Sequence, residues 1–152
     1  MLGSVKPLVV QAYSTASVDR LWEVVTDWNR HGSYFPLTTM RIEPGAPGVG
    51  QEFAGTTAVG PVRFVDSMVV TQWQPPGRDG CFAIRKTGRL LAGTATVRVQ
   101  PEGDGSRITW TTDAGPRPQW LGRIVAPVSR VAGRLIYGRV VTGMAKAAAR
   151  DD

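Results

Sequence analysis

The sequence predicts an α+β fold in which a long antiparallel sheet is covered by one terminal helix. Three observations predict it. A strand-like run and a short helical segment come first. A long stretch, Thr38–Asp113, then reads almost entirely as strands and turns. The chain closes on one long amphipathic helix, about Trp120–Arg150. Such a sheet exposes an apolar face that something must cover, and the terminal helix is the one element long enough. A curved sheet gripping one helix leaves a cavity between them, which points to ligand binding.

The length of 152 residues suits one domain spanning the chain, with room for a sizeable core. No uncharged apolar run approaches the ~18 residues of a membrane span. The run Leu8–Val10 is too short for a signal-peptide core. A single cysteine, Cys81, cannot form an internal disulfide and agrees with a reducing compartment, so a cytoplasmic location is expected.

The first strand is expected at Val5–Tyr13, with both faces fairly apolar. Ser17 is the expected N-cap of a helix over Ser17–Trp28, and Asp19 in its first turn suits the helix dipole. Val18, Leu21, Trp22, Val25 and Trp28 recur at helical spacing. A second short helix is expected within Asn29–Pro36.

Six further strands follow between turn signals: Met40–Glu43, Gln51–Val59, Val62–Trp73, Gly80–Thr87, Leu90–Gln100 and Arg107–Asp113. Alternation puts Phe64, Asp66, Met68 and Val70 on one face. It does the same for Phe82 with Ile84, for Leu91, Ala95, Val97 and Val99, and for Ile108, Trp110 and Thr112. All are expected to face the terminal helix.

In that helix, Val128, Val131, Ala132 and Leu135 form one apolar stripe, with Arg123, Arg130 and Arg134 opposite. Val140, Met144, Ala147 and Ala148 form another, turned well over 90° from the first. A straight helix cannot bury both against one flat surface. A bend near Gly138, or a second packing surface, is therefore expected, and Pro127 should mark the helix start or a kink.

The net charge of +6 is uneven: residues 1–113 balance at +1, residues 114–152 at +5. The basic helix could address anionic lipid, nucleic acid or an acidic partner; a solvated arginine-rich face is the bland alternative. Nucleic acid is not expected, because no strand interleaves aromatic with basic residues. One His and one Cys cannot build a metal site of ordinary ligand count, so neither metal nor cofactor is expected. His31 reads as a loop histidine, or else as an acid/base at a pocket mouth. Asp66 falls among apolar neighbours, where a buried carboxylate needs a partner; a strand bulge would instead leave it in water. Arg85, Lys86 and Arg89 read as a solvated hairpin end rather than an anion site, and Cys81 as a small structural residue.

The stretches VRFVDSMVVTQWQPP (Val62–Pro76), KTGRLLAGTATVRVQPEGDGSRITW (Lys86–Trp110) and ASVDRLWEVVTDWNRHGSYFP (Ala16–Pro36) resemble the polyketide cyclase/dehydrase-like branch of the START/Bet v 1-like (SRPBCC) superfamily. The resemblance implies a helix-grip fold: a seven-stranded antiparallel sheet around a long C-terminal helix, with an internal cavity. It also implies that cyclase relatives steer ring closure with pocket Arg, Tyr and His groups, for which only Tyr34 and His31 can be named here. Many relatives carry an acidic residue two positions after the tryptophan matching Trp110; this chain has Thr112.

The expected ligand-binding residues are Trp22, Tyr34, Phe53, Phe64, Asp66, Met68 and Phe82, with Ile84, Leu91, Val97, Trp110, Thr112, Val128 and Leu135. The leading expectation is a carrier or sensor of a small hydrophobic molecule such as a lipid or polyketide. One alternative is a polyketide cyclase/aromatase or dehydratase, which needs a titratable pair facing one cavity. The other is lipid transfer with the basic helix docked weakly on an anionic membrane.

Overall fold

The computed structural model describes residues 6–116 and 119–150, with side chains left aside at 119 and 121–129. Seven strands form one antiparallel sheet: β1 (Leu8–Ser14), β2 (Thr38–Ile42), β3 (Glu52–Val59), β4 (Val62–Gln74), β5 (Gly80–Lys86), β6 (Leu91–Glu102) and β7 (Gly105–Pro116). Their spatial order is β1-β7-β6-β5-β4-β3-β2. Strands β2 to β7 form a meander of sequential hairpins, and β1 returns to pair with β7, so β1 and β2 are the two edges.

Turn chemistry fixes the registers. Val59 opposes Val62 across Gly60-Pro61, and Glu102 opposes Gly105 across Gly103-Asp104. Gly60 and Gly103 take φ of 57° and 55°, the left-handed region open to glycine at such turns. The register of β4 against β5 shifts between Val70 and Gln72, a bulge that lies beyond Asp66 and leaves its phase intact.

The early helical segment is shorter than the spacing predicts. Helix α1 spans Val18–Val25, with the Ser17 hydroxyl capping Arg20 N–H at 3.1 Å. Thr26 ends it, its hydroxyl donating to the Trp22 carbonyl at 2.7 Å. A 3-10 turn, Trp28–Arg30, and a one-turn helix α2, His31–Tyr34, follow. Trp28 therefore sits on the turn and not on α1, although its ring is buried all the same.

Helix α3 runs Gln119–Arg150. Its hydrogen-bonded run includes Pro127, which thus does not mark the start, and crosses Gly138 without a break. The two stripes are not both buried. Val140, Met144, Ala147 and Ala148 are buried, against α1, β1 and β7. Val131 and Leu135 are each 64% exposed, and Ala132 is exposed too. The described residues of the first stripe are thus left in solvent. Two close contacts seat the buried half. Ser14 Oγ donates to the Ala145 carbonyl at 2.7 Å, and Gly143 lies against the Tyr34 ring, where a Cβ would stand 3.2 Å from Cδ1.

The core sits between the sheet, α1 and this second half of α3. Leu21, Val25, Val97, Val99, Ile108, Val140 and Met144 are all fully shielded there. The rest of the concave face, on β3 to β6, looks into a cavity instead of onto the helix.

Candidate functional site

The site is built by strand phase. On β4, Phe64, Asp66 and Met68 point inward; on β5, Phe82, Ile84 and Lys86 do. Leu91, Ala95 and Val97 add β6, and Phe53 adds β3. Together they wall a cavity of about 410 Å³, within the range of small-molecule sites. Trp28 and His31 close one side, and Phe35, Ile136 and Tyr137 stand where α3 crosses the sheet.

Aromatic rings hold this wall in place. The Trp28 ring stacks on Phe53 at 4.5 Å and meets Phe82 edge-on at 5.0 Å. Trp28 Nε1 donates to Gln51 Oε1 at 2.9 Å, so the indole's polar atom is satisfied away from the cavity. Phe35, Trp110 and Tyr137 form a second cluster, with centroids 5.7–6.1 Å apart.

Into this apolar wall the sheet places one ion pair. Lys86 Nζ donates to Asp66 Oδ2. The register sets Met68 opposite Lys86, which leaves Asp66 diagonal to it on the same face, within reach of a long side chain. The Lys86 side chain is 6% exposed and that of Asp66 20%. Asp66 thus lines the cavity as a largely buried carboxylate, and Lys86 belongs to the wall, not to a solvated hairpin end. Asp66 Oδ1 is buried and has no hydrogen-bond partner among the described residues.

His31 is not an exposed loop histidine: it opens α2 and lines the cavity. It is 4% exposed, and its Nε2 lies 2.8 Å from the Val25 carbonyl. A carbonyl only accepts, so Nε2 carries the proton and Nδ1 is left as an acceptor. Burial pushes its pKa down to about 4, against the weaker opposing pull of the Val25 hydrogen bond and the Asp27 charge. At neutral pH it is an uncharged wall group.

Of the residues expected at the site, the wall brings together Phe53, Phe64, Asp66, Met68, Phe82, Ile84, Leu91, Val97 and Trp110. Four others lie elsewhere. Trp22 stands behind Phe82, edge-on at 5.9 Å. Tyr34 faces Gly143 of α3. Thr112 is buried, and its hydroxyl accepts from Trp110 Nε1 at 3.0 Å, so it serves that indole rather than the cavity. Leu135 projects to solvent, since α3 turns its other face to the protein. The Val128 side chain, like that of Arg123 and the expected strand start at Val5, lies outside the described residues.

The sequence pattern does not mark Lys86 or Trp28 as wall residues, and it offers His31 only as a loop histidine or a pocket-mouth acid/base. For Lys86 the signal was present: it shares the even-numbered phase of Phe82 and Ile84. Trp28 and His31 sit on short irregular turns where no periodicity exists to read. Among the described residues, no cluster of His, Cys, Asp and Glu could hold a metal ion.

With this geometry in view, the profile of the family described as polyketide cyclase / dehydrase and lipid transport matches residues 8–149. The chain belongs to that family. Among curated proteins the sequence finds no match. Solved structures share the fold at low identity. A protein of Thermus thermophilus superposes with a TM-score of 0.77 at 12% identity, over 96% of this chain and 99% of that one. The di-domain aromatase/cyclase StfQ of the steffimycin biosynthetic pathway gives 0.73 at 15% identity, over 95% of this chain and 50% of its own. Norcoclaurine synthase from Thalictrum flavum, in complex with dopamine and hydroxybenzaldehyde, gives 0.70 at 17% identity, over 97% of this chain and 88% of that one. At these identities the likeness establishes the helix-grip fold, and the chemistry must be argued from this chain's own residues.

Proposed function

We propose that this family member binds a small hydrophobic molecule in the cavity between its sheet and α3. The observation that carries the reading is the cavity of about 410 Å³ with a mostly apolar wall. Burial of ligand carbon there contributes about 25 cal/mol per Å², and the Lys86–Asp66 pair gives the wall a single charged spot for orientation. The test is solution NMR with methyl-labelled protein and 1-methylnaphthalene. Met68, Ile84, Leu91 and Val97 resonances should shift on titration while Val131 and Leu135 stay still. Shifts confined to Val131 and Leu135, or none at all, would sink the reading.

A second reading, a cyclase/aromatase or dehydratase, is favoured by the same pair. A titratable acid and base face one cavity, which is what that chemistry requires. A host-derived ligand that leaves the protein changed, shorter by one water for example, would favour it over a carrier.

The outer half of α3 supports a weak contact with an anionic membrane. Trp120, Val131 and Leu135 are exposed, and Arg134 and Arg139 are exposed beside them. Vesicles containing phosphatidylglycerol should sediment the protein at low salt and release it at high salt. Binding that is equal to phosphatidylcholine vesicles, or absent, would end that reading.

A further inference from the structure

We infer that the mouth of the cavity, framed by the β3–β4 hairpin and the middle of α3, docks on an anionic bilayer, so that the ligand passes between membrane and cavity without crossing water. This rests on the two proposals that the cavity binds a small hydrophobic molecule and that the chain meets an anionic membrane, and it names the surface from which that molecule comes.

Exposure marks the mouth. Most of the residues lining the cavity are shielded, yet Val59 and Val62 are 61% and 65% exposed and Ile136 is 38% exposed. A side chain that lines the cavity and still meets solvent stands where the two join. Val59 and Val62 oppose each other across the Gly60-Pro61 turn, and Ile136 faces them from α3. Two further apolar side chains extend this rim. Leu90, half exposed, directly precedes Leu91 of the wall. Leu37 is two-thirds exposed, and its carbonyl accepts from the Ala58 N–H at 3.1 Å beside Val59. Leu37 is also the one described non-glycine residue with positive φ, 57°. Left-handed backbone is costly for a leucine, and here that cost leaves an apolar side chain in water. An apolar rim of this kind marks an interaction surface.

Charge names the occupant. Arg89 adjoins Leu90, and Arg139 lies three residues beyond Ile136, on the same side of α3. Both are exposed, and neither has an ion-pair partner among the described residues. Strand phase turns Arg63 and Asp113 to the convex face, away from the rim. The stretches 57–65, 87–91 and 130–140 that build the rim hold no Asp or Glu. Apolar tips beside unpaired arginines fit acyl chains beneath anionic headgroups. A second copy of this chain would bring the same cations, with nothing acidic on the rim to meet them.

The test uses the full chain with the polarity-sensitive dye NBD on one introduced cysteine at a time, the native Cys81 being buried. The three sites are Val62→Cys at the mouth, Val131→Cys on outer α3 and Asp104→Cys on the β6–β7 hairpin, at the opposite end of the sheet. On vesicles of phosphatidylglycerol and phosphatidylcholine, emission from the Val62→Cys protein should brighten and move to the blue, while that from Asp104→Cys stays unchanged. The double variant Val59→Asp/Val62→Asp should bind these vesicles about tenfold more weakly or worse. A response at Val131→Cys without one at Val62→Cys overturns the inference and leaves the contact through outer α3 standing. Equal responses at Val62→Cys and Asp104→Cys overturn it as adsorption without orientation. A response of Val62→Cys to polyglutamate but not to vesicles overturns it in favour of an acidic protein. Silence of all three sites on vesicles overturns it together with the membrane reading.

Discussion

Lys86→Met should destabilise the protein by about 3–5 kcal/mol, because it strands a carboxylate in an apolar wall. Asp66 has no other described partner, and its Oδ1 is already unsatisfied. Adding Asp66→Leu to the same chain should bring stability back to within about 1 kcal/mol of the wild type, or above it. The reason is that the pair's desolvation cost is then removed along with its attraction. Urea unfolding of the two single variants and the double gives the coupling, expected to exceed about 2 kcal/mol. A Lys86→Met variant that loses under about 1 kcal/mol would place the pair in solvent, where such pairs contribute little.

The second large effect is a loss of stability on mild acidification. His31 is buried neutral with its pKa lowered to about 4, whereas in the unfolded chain it takes its ordinary value near 6.5. Well above pH 6.5 both states hold the neutral ring and the effect on stability vanishes. Between pH 6.5 and 4 the unfolded chain binds a proton that the folded chain refuses, so stability falls as pH falls. The loss reaches about 2 kcal/mol near pH 5 and levels off at about 3 kcal/mol below pH 4. His31→Gln keeps an amide N–H able to reach the Val25 carbonyl but has no titration in this window. Its urea midpoint should therefore change much less between pH 7.5 and 5 than that of the wild type. Parallel pH profiles for the two proteins would contradict the burial of a neutral imidazole.

Much of the sheet is legible in the sequence because alternation and turn glycines are local signals. The phase of Phe64, Asp66 and Met68, and of Phe82 and Ile84, follows from counting by twos, and Gly60 and Gly103 mark their hairpins. Lys86 obeys the same count, yet its charged neighbours Arg85 and Arg89 made the local composition resemble a solvated turn. Here the pairing partner decides: a lysine is tolerated in this wall because Asp66 lies diagonally across β4, and that register is a long-range fact. Helix α3 shows the opposite failure. The stripe at Val131 and Leu135 has the periodicity of a buried face, but periodicity specifies a face and not what lies against it. On the protein side of α3, Gly143 lies against the Tyr34 ring of α2, and the small residues Ala147 and Ala148 are buried where the helix packs on α1 and β1. Trp28 and His31 reach the cavity from a 3-10 turn and a single helical turn, too short to carry a pattern.

The most direct measurement is native mass spectrometry on the protein purified from its own host, followed by organic extraction. The account predicts one discrete, mostly apolar small molecule bound in the cavity. It should be absent from the variant Val97→Trp, whose indole fills the space beside a fully shielded wall position. A bare protein that also refuses fatty acids, sterols and aromatic polyketides would contradict it.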